Sequence, residues 1–181
     1  MHFDIPFAVF ELIFTGVWLL VRVIVWVKNR QIDPKREAVL LLMYINLAVV
    51  FRFTFFPMAR VDGHIMPLPF DTELNSPLRI NLRPFVHMND YALRRDFLVN
   101  LLGNIAMFIP TGIVMPAIYP QLRSFGKTLL AGAELSLCIE LAQLPFYTRA
   151  SDIDDLLLNT AGVVIGYGIF ALVRRLRRVR Q

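Results

Sequence analysis

Arg149-Ala-Ser-Asp-Ile-Asp-Asp-Leu-Leu-Leu-Asn159 sets three carboxylates and an amide at the mouth of a segment that then runs apolar to Leu172. Acidic groups are costly at a membrane boundary and costlier inside it, so such a cluster has a task or a paired partner. Begun at Leu156, the segment is short for a span. It reaches full length if the helix opens near Asp152 with its carboxylates at headgroup level.

The rest of the chain sets the context. Hydrophobic residues make up 56% of 181 and the mean hydropathy is +0.56, values that exclude an ordinary soluble domain. Five apolar segments stand out: Ile5–Val27, Ala38–Phe56, Phe97–Ile118, Thr128–Phe146 and Leu156–Leu172. A soluble helical bundle of this composition would keep too little polar surface to face water. The first segment does not read as a cleaved signal peptide. No Lys or Arg precedes it, Glu11 and Arg22 lie inside it, and it exceeds a signal core in length. The lone Cys138 permits no disulfide framework, and His2, His64 and His87 have no ligand spacing.

Basic residues set the expected topology. Lys28, Arg30, Lys35, Arg36, Arg123, Lys127, Arg174, Arg175, Arg177, Arg178 and Arg180 fall on one side of the five segments. Arg60, Arg79, Arg83, Arg94, Arg95 and Arg149 fall on the other. The richer side is expected to be cytoplasmic, with the N-terminus outside and the C-terminus inside. The net charge of +5 calls for no nucleic acid; a basic tail beside a span contacts anionic lipid more simply.

Polar residues recur at one depth. Asn100 and Asn104, four apart, share a helix face near the outer end of the third segment, and Pro110-Thr-Gly112 downstream is expected to kink it. Gly132, Ser136, Glu140 and Gln143 form one stripe on the fourth, while Glu134 points about 120° away. A buried Glu140 needs a positive partner, several donors or a proton, and Arg52 and Arg149 are the nearby cations. On the fifth, Ser151 reads as an N-cap with Asp154 three residues on, close to a capping box. Asp152, Asp155 and Asn159 continue as a stripe into Gly162-x-x-x-Gly166, a spacing that lets another helix approach closely. The Pro-rich loop from Pro57 to Asp96 holds the compact Asn81-Leu-Arg-Pro84-Phe85, which reads on spacing alone as a surface turn.

Arg52, Asn100, Asn104, Glu140, Gln143, Arg149, Asp152, Asp155 and Asn159 thus fall in the outer half of the bundle. Here the chain resembles the VanZ-like membrane protein family. The matching residues are Asn81-Leu-x-Pro84-Phe85, Asn100-x-x-x-Asn104, Phe108-Ile-Pro-x-Gly112, Glu140-Leu-x-Gln143 and Arg149-x-x-Asp152-Ile-Asp154-Asp155-x-x-x-Asn159-x-x-Gly162. They extend over about Leu42 to Leu172. The family is named for a protein associated with resistance to teicoplanin-type lipoglycopeptides. The resemblance implies a multi-pass protein of the bacterial cytoplasmic membrane, with Asn81, Pro84, Phe85 and Asp154 added to the site. It points to fold, location and residues rather than to a reaction.

The expected fold class is an all-α polytopic membrane bundle of about five transmembrane helices. Residues 1–37 form the first helix and its turn, 38–172 the VanZ-like domain, and 173–181 a basic tail. The first functional reading is binding: an outward polar cavity holding the head of a lipid, a lipid-linked envelope intermediate or a lipoglycopeptide. Arg52 and Arg149 would meet phosphate or carboxylate. The second is a lipid-directed hydrolase or transferase with Glu140, Asp152 and Asp155 as catalytic candidates, Glu140 as base, and Mg2+ at Asp152 and Asp155. The third is an assembly subunit whose acids pair with Arg52 and Arg149. A transporter fits less well, since five spans without repeat symmetry offer little for alternating access.

Overall fold

The computed structural model describes residues 2–56, 60–71, 78–84 and 94–179. Five long helices dominate it: α1 (Phe7–Asn29), α2 (Pro34–Phe55), α3 (Arg94–Ile118), α4 (Phe125–Gln143) and α5 (Ile153–Val179). Four of them, all but α4, are long and apolar enough to cross a membrane. The 19-residue α4 carries Lys127, Glu134 and Glu140, and this charge sets it apart. It nevertheless returns the chain from one end of the bundle to the other, since Gln143 reaches the C-terminal end of α2 while Thr128 binds the carbonyl of Leu122 in the 3-10 turn after α3. The all-α membrane bundle expected from hydropathy is therefore the observed architecture.

Local chemistry sets the ends. Asp33 caps α2 by accepting from the N–H groups of Lys35 (3.0 Å) and Arg36 (3.3 Å), and Pro34 supplies the fixed φ that suits a first turn. Asp152 caps α5: its Oδ1 accepts from the Asp154 N–H at 2.9 Å. The expected cap, Ser151, lies one residue too early; Asp152, beside it in the same strand, supplies the cap oxygen. α5 also continues past Leu172 to Val179, so the basic residues up to Arg178 ride on the helix itself.

The helices α3 and α5 form the closest pair. A Cβ on Gly162 would overlap the carbonyl oxygen of Ile105, one on Gly166 that of Ile109, and one on Gly112 that of Val163. Backbone thus lies on backbone, as small residues permit where lipid supplies no hydrophobic drive between helices. Gly132 meets the Val163 side chain and brings α4 onto the same seam. α3 stays helical through Pro110 and Pro116. Near Pro110, Asn46 of α2 donates to the Met107 carbonyl (2.8 Å) and accepts from Thr111 (2.6 Å). Two apolar clusters occupy the two ends: Val50, Phe56, Phe108, Ile139 and Val163 in one, and Leu40, Met43, Val114 and Ile118 in the other.

α1 is peripheral and exposes Leu12, Ile13, Val17 and Val27. Arg22 and Glu11 on it find partners on α2. Arg22 grips Glu37 with two parallel donors, Nε to Oε2 at 3.0 Å and NH2 to Oε1. Tyr44 donates to Glu11 at 3.1 Å and shares a 2.7 Å bond with Thr15.

Among the described residues, three two-stranded ladders, none expected from the sequence, close the other end. β1 (His2–Ile5) pairs antiparallel with β4 (Leu68–Asp71), and β2 (Arg60–Val61) with β3 (His64–Ile65). The latter turn through Asp62 and Gly63, both at positive φ, as a tight hairpin of the primed type requires. β5 (Ile80–Asn81) pairs parallel with β6 (Ser151–Asp152), in the register Ile80↔Ser151 and Asn81↔Asp152.

Candidate functional site

The β5–β6 ladder fixes the entry to α5. The Ser151 N–H donates to the Arg79 carbonyl at 2.9 Å, and Asn81 Nδ2 donates to Asp152 Oδ1 at 3.0 Å. That Asp152 oxygen is the α5 cap, so one carboxylate ties a loop amide to a helix start. Asn81 Oδ1 accepts from the Arg83 N–H (3.1 Å), which folds its own turn. Pro84, exposed, follows in that turn, and Phe85 lies outside the described residues.

From α4, the buried Glu140 accepts the Asp152 backbone N–H on Oε2 at 2.9 Å. Asp152 is thereby held at three points. One turn inward, Asn104 of α3 donates to Asp155 Oδ1 at 2.6 Å. Deeper, Asn159 donates to Ser136 at 2.9 Å, and both residues are fully buried. These amide bonds staple α5 to α3 and α4.

The C-terminal end of α2 closes the ring. The last carbonyls of a helix lack intrahelical donors, and side chains supply them here. Gln143 Nε2 donates to Thr54 O at 2.6 Å, Arg149 Nε to Phe55 O at 2.9 Å, and Arg52 NH1 to Phe56 O at 3.1 Å. Cations at the negative end of a helix dipole are well placed electrostatically. Arg52 also lies over the rings of Phe7 and Phe53, at 5.6 and 5.4 Å. The sequence offers Arg149 as the counter-charge of Glu140. In the fold it spends Nε on the α2 carbonyl instead, and Glu140 finds its donor in the peptide of Asp152.

Arg149 retains one unmatched group. Its second terminal nitrogen, NH2, is buried with no hydrogen-bond partner among the described residues, as are Gln143 Oε1 and Asn159 Oδ1. Burial, with a smaller contribution from the Arg52 charge, lowers the Arg149 pKa from the usual guanidinium value. A guanidinium stays charged even so, so this is a cation held in an unfavourable field. It lines a cavity of about 310 Å³. Asn100 and Asn104 give that cavity a polar wall, and Phe53, Phe56 and Met107 an apolar one.

Asn81, Glu140, Asp152 and Asp154 are thus joined by hydrogen bonds at one end of the bundle, beside the separate bonds of Asn104 with Asp155, Asn159 with Ser136, and Gln143 and Arg149 with α2, and Asn100 stands on the cavity wall. The aspartates do not converge. Among the described residues no three Asp, Glu, His or Cys side chains gather as a metal would require. Asp152 Oδ1 is engaged by Asn81 and the Asp154 peptide, and Asp155 Oδ1 by Asn104.

Sequence reasoning missed the Thr54, Phe55 and Phe56 carbonyls, which as backbone groups leave no residue-type signal. It also missed Phe53, Phe56 and Met107 as cavity wall. Ser136, read as part of the stripe, proves to be the specific partner of Asn159. A family model described as VanZ/LLP1 matches residues 41–174, from early in α2 to late in α5. No curated protein and no solved structure matches the chain.

Proposed function

We propose that this chain, which belongs to the VanZ/LLP1 family and is a multi-pass membrane protein, binds an amphiphile with an anionic head at the α5 N-terminal end of the bundle. The carrying observation is that Arg149 lines the cavity while its NH2 is buried with no hydrogen-bond partner among the described residues. A partly buried, incompletely paired guanidinium is destabilising by itself, and phosphate or carboxylate oxygens match its donor fork. Asn100 and Asn104 supply amide donors and acceptors for the polar head. Phe53, Phe56 and Met107 supply the apolar contact for the chain that follows it. Lipids, lipid-linked envelope intermediates and lipoglycopeptides all combine these two parts.

In this reading the acids are framework. Glu140, Asp152 and Asp155 each accept from a backbone or amide N–H and so position α5 beside the cavity. The excess of basic residues at the opposite end supports an outward-facing site in the bacterial cytoplasmic membrane. A role in teicoplanin-type resistance would follow if the bound amphiphile were the drug or the envelope intermediate it attacks.

The test uses polyprenyl phosphate as probe, titrated against the purified full chain in detergent. Loss of a hydrogen bond to a charged group amounts to about 1.5–3 kcal/mol, so Arg149→Gln should weaken binding roughly 10- to 100-fold. Equal affinity of Arg149→Gln and wild type would overturn the assignment.

A further inference from the structure

A second cavity, of about 420 Å³, lies at the other end of the bundle, between the end of α3 and the late turns of α5. Arg123, Arg174, Arg177 and Arg178 line it, and among the described residues no carboxylate does. Among the described residues none of these four has an acidic group within ion-pair distance; the close pair at this end is Arg22 with Glu37. The inner wall is apolar, from Ile113 on α3 and Ile169 and Val173 on α5.

The cavity is built into the fold. Pro120 has no N–H to give the Pro116 carbonyl, and Arg123 Nε donates to that carbonyl instead, at 3.4 Å. Tyr167 of α5 donates to the Arg123 carbonyl at 3.0 Å, which fixes the turn against the helix. Depth follows from helix geometry. Asp155 to Arg174 is nineteen residues, about 29 Å along the axis, close to the ~30 Å hydrocarbon thickness of a bilayer. With the acidic entry of α5 at one interface, the arginines stand at the other, and Ile113, Ile169 and Val173 lie just inside it.

We infer that this cavity seats the headgroup phosphate of an anionic phospholipid, with an acyl chain running down Ile113, Ile169 and Val173. The four guanidiniums, none with an acidic partner among the described residues, give the charge complementarity, and the apolar wall distinguishes a lipid from a soluble anion. This site is separate from the one at Arg149 and holds whichever way the protein faces.

Native mass spectrometry of the purified full chain, titrated with phosphatidylglycerol or phosphatidylcholine, tests the inference. The series is run in the Arg149→Gln background, so that the other cavity does not contribute. Arg174→Gln and Arg178→Gln should each reduce retained phosphatidylglycerol about fivefold. Arg175→Gln removes the same charge from the same helix without touching the cavity, and should leave retention near that of the parent chain. Phosphatidylcholine should be retained poorly, and millimolar inorganic phosphate should not displace bound lipid. Equal losses in all three variants would reduce the effect to diffuse tail charge and overturn the inference. Equal retention of phosphatidylcholine, or displacement by inorganic phosphate, would overturn it too. Arg174→Lys should recover retention if Arg174→Gln acts by charge; failure to recover, with the melting temperature unchanged, would count against the seat.

Discussion

Adding a methyl group at Gly162 or Gly166 should separate α3 from α5, and the same change at Gly168 should not. A Cβ at Gly162 would overlap Ile105 O, and one at Gly166 would overlap Ile109 O and press on Gly112. These are backbone atoms, so no side chain can swing away. Overpacking of this kind costs about 1–3 kcal/mol, and the better helix propensity of Ala returns about 1 kcal/mol. The expected net is a loss of up to about 2 kcal/mol. A Cβ on Gly168 would meet nothing within 4 Å, so Gly168→Ala should gain up to about 1 kcal/mol on propensity alone. Thermal unfolding of the three variants in one detergent reads the difference. Gly162→Ala and Gly166→Ala should melt below wild type and Gly168→Ala at or above it. Gly162 lies two turns from Asp155, so Gly162→Ala should also loosen the Asn104–Asp155 bond and weaken amphiphile binding. If Gly166→Ala proved as stable as Gly168→Ala, the backbone-on-backbone packing of α3 and α5 would be refuted.

Four further outcomes are expected. Asn159→Ala should destabilise the chain by about 1–3 kcal/mol by leaving Ser136 unmatched, and a double-mutant cycle with Ser136→Ala in chemical unfolding should show coupling between the two; strict additivity would deny the bond. Arg22→Met should destabilise by about 1.5–3 kcal/mol by removing the hydrogen bonds to the half-buried Glu37, while Arg22→Met with Glu37→Met should recover most of the loss in thermal melts; no recovery would place the cost in packing instead. Asn104→Leu should weaken binding of the polyprenyl phosphate probe while leaving the chain folded, as judged by circular dichroism; unchanged binding would remove Asn104 from the cavity wall. EDTA should leave probe affinity unchanged, and a fall restored by Mg2+ would contradict the assignment of Asp152 and Asp155 to internal hydrogen bonds.

The helices were legible because hydropathy reports directly on what lipid tolerates. The α3–α5 seam was legible in Gly162-x-x-x-Gly166, since a missing side chain at that spacing has one geometric use. The start of α5 near Asp152 followed from the length a span needs. Pairing was harder. The sequence offered Arg149 as counter-charge to Glu140 because both are ionic, but the α2 C-terminus presents carbonyls that compete for the guanidinium, and carbonyls are common to every residue. The join of Asn81 to Asp152 spans seventy-one positions through a two-residue ladder, too short for an alternating pattern to announce it. Asp62-Gly63 did carry a hairpin signal, readable from the demand for positive φ, in a loop whose composition is dominated by proline. The cap of α5 falls on Asp152, one residue past Ser151; both side chains can accept an N–H, and their order in the sequence does not choose between them.

The central claim is that the half-buried Arg149 guanidinium anchors an anionic amphiphile at the α5 N-terminal end. Native mass spectrometry of Arg174→Gln and of Arg174→Gln with Arg149→Gln, each purified from host membranes so that the opposite cavity retains less lipid, addresses it most directly. A phosphate- or carboxylate-bearing lipid retained by the Arg174→Gln protein and lost when Arg149→Gln is added is the predicted result. The same lipid retained equally by both, or no amphiphile retained by either, would contradict it.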